Sequence, residues 1–230
     1  RLTDVLRNGK RQNYHVCFSD AVPIEVIENE FLGKLTSSYR YSDGSRVPYS
    51  YTTHGLTELG RRLVDEKTVV ASSGNPSDAE LLKIGQKAFA VDRDQVHELL
   101  RQEWFQNRTL EFIGYSETKQ VESAGFEGME KRHLLHVDGA FLASPEAKSF
   151  RNNENKLRKI RDDIPLIHAS DAHRFDDGVE PSRHLGKSEM WVRCSPNFNS
   201  LAFAIRKFEQ RLSYGEPEDR KRKLGLTGNI

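Results

Sequence analysis

The stretch "IPLIHASDAHRFDD", Ile164 to Asp177, sets an apolar run against a polar cluster of two histidines and three aspartates. The apolar part is short and bounded by turn-forming residues, which predicts a buried strand over 164–170. If that strand belongs to a parallel sheet, its C-terminal edge is where such folds place their chemistry. Asp171 and His173 are two apart, so in extended backbone their side chains project to the same side. A carboxylate and an imidazole presented together suit Zn²⁺, Mn²⁺ or Fe²⁺. Ala172 between them is small and leaves room, and Ser170 is placed to hydrogen-bond a ligand from behind. His168 has the opposite parity to Asp171, which gives it a supporting role. Asp176 and Asp177 read as turn residues that stop the strand. The same heptad "DAHRFDD" also reads as a solvated polar loop, and residue types alone leave both readings open.

Outward from this stretch, the order of elements predicts an α/β protein with a largely parallel sheet. Upstream, "NYHVCF" (13–18) reads as a buried strand, and Ile24, Ile27, Phe31, Leu32 and Leu35 recur at helical spacing. Residues 37–54 are rich in Ser, Tyr, Gly and Pro and read as a loop. Helices are predicted over 56–67, 76–89 and 92–105, the second capped by Ser77 or Asp78 with Glu80 in its first turn. Strands are predicted over 109–115, 139–144 and 189–194. A charged helix is predicted over 146–160 and an amphipathic one over 200–212. On this last helix Leu201, Ala204, Ile205, Phe208 and Leu212 form one stripe for the sheet. Phe203 falls off the stripe and is expected to meet another helix or an attached segment.

Composition narrows the functional classes. The chain has 230 residues, 30% of them charged and 36% apolar, with a formal charge of +1. No overall field draws it to nucleic acid, so such binding needs a local patch. No run approaches the roughly 18 apolar residues of a membrane helix. Cys17 and Cys194 stand alone, which argues against a thiolate zinc site or a disulfide framework and fits a cytoplasmic setting. The absence of a G-x-x-x-x-G-K-[ST] loop argues against P-loop nucleotide binding. The basic run Arg220 to Lys223 follows Glu216, Glu218 and Asp219 and reads as a solvated linker.

"PLIHASDAH", followed by "EMWVRCSPNFNSLAFAIRKFEQRLSYGEPE", resembles the last part of a PHP (polymerase and histidinol phosphatase) domain, of the kind attached to SMC-like or AAA-type ATPases. The likeness lies in Ser170-Asp171-Ala172-His173, in Trp191 on the next strand, and in a helix start with Pro196, Phe198 and Leu201. "NYHVCFSD" resembles the strand just past that family's third metal motif. The resemblance implies a distorted (β/α)7-type barrel, incomplete in this chain because the first strands and first metal motifs are missing. Residues 1–213 would be its C-terminal portion and 214–230 a polar linker toward a further segment. It implies Asp171 and His173 as catalytic metal ligands, His15 as a third ligand, and divalent ions (Mn, Zn or Fe). Around them, His168, Ser170, Arg174 and Arg193 would support the ligands or hold a substrate phosphate; Arg183 is a further candidate.

No HxH is present, and "HLLH" (133–136) has a different spacing, so the chain offers about half a metal site. The resemblance implies a further His on a central strand, which 109–115 lacks; Glu111, sharing parity with Ile113, is a substitute for it or, as expected here, points outward into solvent. His133 and His136 remain weaker candidates, whereas His54, His97 and His184 are expected at the surface. The implied activity is a metal-dependent phosphoesterase, a nuclease by family company, working with an ATPase in the same polypeptide or a partner. DNA repair or phage defence is the biology that company implies. The alternative is a PHP-like scaffold that supports an ATPase without catalysis.

Overall fold

A computed structural model describes residues 2–5, 11–72, 74–114, 136–142, 147–159, 161–169 and 190–217. The chain divides into two compact units: 1–12 with 20–109, and 13–19 with 110–230.

The first unit is mostly helical. Strand β1 (Leu2–Val5) starts the chain. The predicted helix after residue 23 forms as α1 (Ile24–Val26), which widens into a π turn (Ile27–Phe31) and tightens into a 3-10 turn (Leu32–Lys34). Only the later residues of its apolar set are inside: Phe31 and Leu35 are buried, while Ile24 is exposed. The segment read as a loop is instead an antiparallel hairpin, β3 (Thr36–Arg40) with β4 (Arg46–Ser50). Its turn needs Gly44 at φ +84°, and the Asp43 side chain accepts from the Ser45 N–H at 2.8 Å. Pro48 removes one N–H from β4, a loss tolerated at a sheet edge.

Helices α2 (Thr53–Asp65), α3 (Asp78–Ala88) and α4 (Arg93–Leu100) follow. Each starts on a side-chain cap: Thr52 accepts from the Gly55 N–H, Ser77 from Glu80 and Asp92 from Asp94. Glycines bring α2 and α3 together. A Cβ on Gly60 would stand 2.0 Å from the Leu81 carbonyl oxygen, and one on Gly85 would stand 1.8 Å from that of Leu56. Around this crossing Leu56, Leu59, Leu63 and Leu81 are buried.

The second unit is α/β. Its sheet has the strand order β2-β5-β6-β7, made of β2 (Arg11–Phe18), β5 (Thr109–Gly114), β6 (Gly139–Leu142) and β7 (Leu166–His168). β5, β6 and β7 run parallel. From Leu110 to Ile113 every residue of β5 is buried, as expected for a parallel strand covered on both faces. Among the described residues the sheet is open rather than closed into a barrel. Helix α5 (Ala147–Arg158) joins β6 to β7 in sequence. After β7 come β8 (Met190–Val192), α6 (Phe198–Arg206), the single turn α7 (Phe208–Arg211) and β9 (Leu212–Tyr214).

The long helix predicted over 200–212 is therefore broken. It stops at Lys207 (φ −114°, ψ 38°), and Leu212 turns into a strand that pairs antiparallel with β8. Ala204 and Ile205 of the predicted stripe are fully buried and Phe203 is exposed, whereas Phe208 is only half-buried. Ala202 and Ile205 join Leu110 and Phe112 in one core cluster, with Phe141, Ile167, Phe198, Leu201 and Leu212 packed against it. Among the described residues no helix is long and apolar enough to cross a membrane.

Candidate functional site

The register of the parallel strands fixes two ends of the sheet. Phe112 pairs with Gly139, Ala140 with Leu166, and Leu142 with His168. Glu111 and Asp138 therefore lie level at the N-terminal edge. His168 lies four residues further along, about 13 Å at the usual rise of a strand. Strand β7 ends at His168, and the Ala169 N–H still bonds the Leu142 carbonyl at 3.0 Å. Ser170, Asp171, His173, Arg174 and Arg183, which carry the sequence-based site, lie outside the described residues, as do His133 and His184.

His168 is buried, and its ring meets Tyr214 of β9 at 4.6 Å between centroids. Alternation along β7 assigns Ile167 to the face that α6 covers and His168 to the other. His15, half-buried on β2, puts its ring edge-on to Phe141 at 5.4 Å and 85°. Phe141 shares parity with Ile167 and packs on the α6 cluster. By this alternation the two imidazoles belong to opposite faces of the sheet. Among the described residues no three His, Cys, Asp or Glu side chains gather as a metal-holding group.

Arg193 stands exposed just past β8. Its N–H donates to the Arg211 carbonyl at 2.8 Å, and its own carbonyl accepts from Arg211 Nη1 at 2.8 Å. His54 is exposed, in the first turn of α2 rather than in a loop, and His136 is exposed too. His97 is half-buried on α4.

Glu111 corrects one expectation. It is buried at 8% exposure rather than solvated, because its face of β5 is the one that also buries Ile113. Its backbone is tied reciprocally to Asp138, a residue that sequence reasoning passed over. The Glu111 N–H donates to Asp138 Oδ2 at 2.8 Å, and the Asp138 N–H donates to the Glu111 carbonyl at 2.8 Å. The available signal was an acidic residue directly before the apolar "GAFL" of β6. Arg161 braces the same corner, with Nη1 on the Val137 carbonyl at 2.6 Å and Nε on Asp163 Oδ1 at 2.7 Å. Burial pushes the Asp138 carboxyl above the ordinary aspartate value and the Glu111 charge adds to this, against the Glu111 N–H bond and the charges of Arg206 and Arg161.

The raised value has a definite sign. The folded state holds the Asp138 proton more tightly than the unfolded chain does. The stability linked to this group is full below about pH 4 and is lost as pH rises through the raised value. Asp138→Asn keeps an oxygen to accept from Glu111 and discards the buried charge. It is expected to melt higher than wild type at pH 7 and to lose that advantage near pH 3.5. Thermal melts across this range check it, and a more stable wild type at pH 7 would mean that Arg161 and Arg206 outweigh the cost of burial.

No family model, curated protein or solved structure matches the chain.

Proposed function

We propose that this chain is the later part of a PHP-type metal-dependent phosphoesterase, acting on nucleic acid or another phosphoester together with an ATPase. The observation that carries the reading is the course of β7. It is a buried strand in a parallel set, and it ends at His168, three residues before Asp171. In parallel α/β sheets ligands gather beyond such strand ends. Asp171 and His173 are the residues that would hold divalent ions there. Ions so held would lower the pKa of a bound water and offset charge on phosphoryl oxygens. His15, edge-on to Phe141, lies on the face of Ile167, whose parity Asp171 shares in extended backbone. The described residues do not complete a metal group, so no individual catalytic step follows from them.

The alternative is a scaffold without catalysis, which fits the lack of an HxH in this sequence. One experiment separates the two. Wild type, Asp171→Asn and His173→Ala are assayed for bound Mn, Zn and Fe by elemental analysis. They are also assayed for hydrolysis of bis(p-nitrophenyl) phosphate with and without chelator. Both variants are expected to lose bound metal and at least about 100-fold in activity, the upper range for groups that merely support ligands, with melting temperatures close to wild type. Equal metal content in all three proteins would overturn the enzyme reading and leave the scaffold.

A further inference from the structure

Helix α6 faces the sheet with Ala202 and Ile205 and also buries Ala204, whereas Phe203 has 48% of its surface exposed. This ring is not left to chance. The guanidinium carbon of Arg211 stands 4.7 Å from its centroid. Arg211 is itself held by Arg193, through Nη1 to the Arg193 carbonyl and through the backbone pair, each at 2.8 Å. Lys207, four residues after Phe203, ends the helix with its N–H on the Phe203 carbonyl at 3.0 Å. Arg193 and Lys207 are exposed, as is Arg206, whose charge also acts on Asp138. Residues 193–212 hold four basic residues and one acidic residue, Glu209, a local +3 in a chain of overall charge +1. The basic excess that the overall charge lacks is concentrated in this segment.

We propose that this surface binds single-stranded nucleic acid, with a base stacked on Phe203 and flanking phosphates paired with Arg193, Lys207 and Arg211. An exposed ring with one guanidinium over a face, and exposed basic residues on the segments around it, is a combination that single strands recognise: every base offers a π-face, and every linkage a negative charge. A duplex keeps its base faces covered, and an acidic peptide offers the charges without the planar partner. The proposal deepens the phosphoesterase reading, on which it rests for its biological purpose, by giving the strand a place to lie. Binding itself needs no metal.

The test is fluorescence anisotropy with a labelled pyrimidine 12-mer, a length within the usual range of about 4–16 nucleotides, in chelator at low salt. Wild type is expected to bind, with affinity falling as salt rises. Phe203→Ala is expected to weaken binding about 5- to 100-fold, and Phe203→Trp to retain it. Arg193→Glu combined with Lys207→Glu should weaken binding and flatten the salt dependence by a log–log slope of about 1.4. Lys87→Glu, in the other unit, should leave binding unchanged. Near-ultraviolet circular dichroism reports whether each variant is folded. Wild-type affinity in a folded Phe203→Ala protein would overturn the proposal. So would equal binding of heparin or of the matching duplex, which would show a general polyanion surface. Chelator keeps the assay independent of catalysis, and the bis(p-nitrophenyl) phosphate assay is independent of this surface, so either reading can fail alone.

Discussion

Gly85→Ala is expected to destabilise the first unit by about 4 kcal/mol or more, among the largest effects a single methyl can have. Helix propensity alone predicts the reverse, since alanine is favoured over glycine inside a helix by about 1 kcal/mol. Packing decides the sign. The new Cβ would lie 1.8 Å from the Leu56 carbonyl oxygen, which is backbone and cannot swing aside. Relief requires α2 and α3 to move apart, and Leu56, Leu59, Leu63 and Leu81 then lose contacts they now share. Gly60→Ala meets the Leu81 carbonyl at 2.0 Å and should cost a similar amount. Because both glycines serve one crossing, the double variant should cost less than the sum, as the helices separate only once. Gly74→Ala, where a Cβ meets nothing within 4 Å, is the control and should lie within about 0.5 kcal/mol of wild type. Denaturant melts of the four variants give the answer. A Gly85→Ala protein as stable as wild type would mean that the helices do not approach this closely.

The second large effect belongs to Ile205. It is 1% exposed and sits among Leu110, Phe112 and Ala202, where α6 covers the parallel strands. Ile205→Ala removes three buried carbons and leaves a cavity under a sheet that cannot collapse freely, at an expected cost of about 2–5 kcal/mol. Phe203, two residues away, should cost within about 0.5 kcal/mol when cut to alanine, because water already reaches it. Phe208 should fall between the two. It is half-buried, with the Arg158 guanidinium 5.4 Å from its ring centroid, so part of its surface is covered by a charged group rather than by core. The order Ile205, Phe208, Phe203 in chemical melts is the expected result. Equal losses at Ile205 and Phe203 would mean that α6 presents a different face to the sheet.

Local signals made much of the fold legible. Ser77 and Asp92 announce α3 and α4 because their side chains satisfy N–H groups that the helix leaves open. The apolar runs of β5, β6 and β7 announce buried strands because both faces of a parallel sheet are covered. The hairpin over 36–50 escaped notice because serines dominate it. Its evidence was the Asp43-Gly44 pair between two tyrosine-bearing segments, a hairpin signal that outweighs composition. The break at Lys207 has no local cause, as neither glycine nor proline occurs from 198 to 214. The chain past the break resumes for one turn and then pairs as β9 with β8, and pairing is a property of two distant segments.

At the candidate site, the strand that carries His15 was legible, but the ring it meets, Phe141, 126 positions away, was not. Glu111 was misjudged for a related reason. Alternation tells which residues share a face, and only the neighbouring layers tell whether that face is wet.

Strand β2 lies beside β5 in the sheet, yet residues 20–108 of the other unit come between them in the chain. During synthesis β2 leaves the ribosome roughly ninety residues ahead of its neighbour, about 5–18 s at ordinary elongation rates. Joining the two strands across an unstructured loop of that length would cost about 4 kcal/mol of chain entropy. A first unit that folds while β5 is still being made replaces the long loop with a compact body and removes much of that cost.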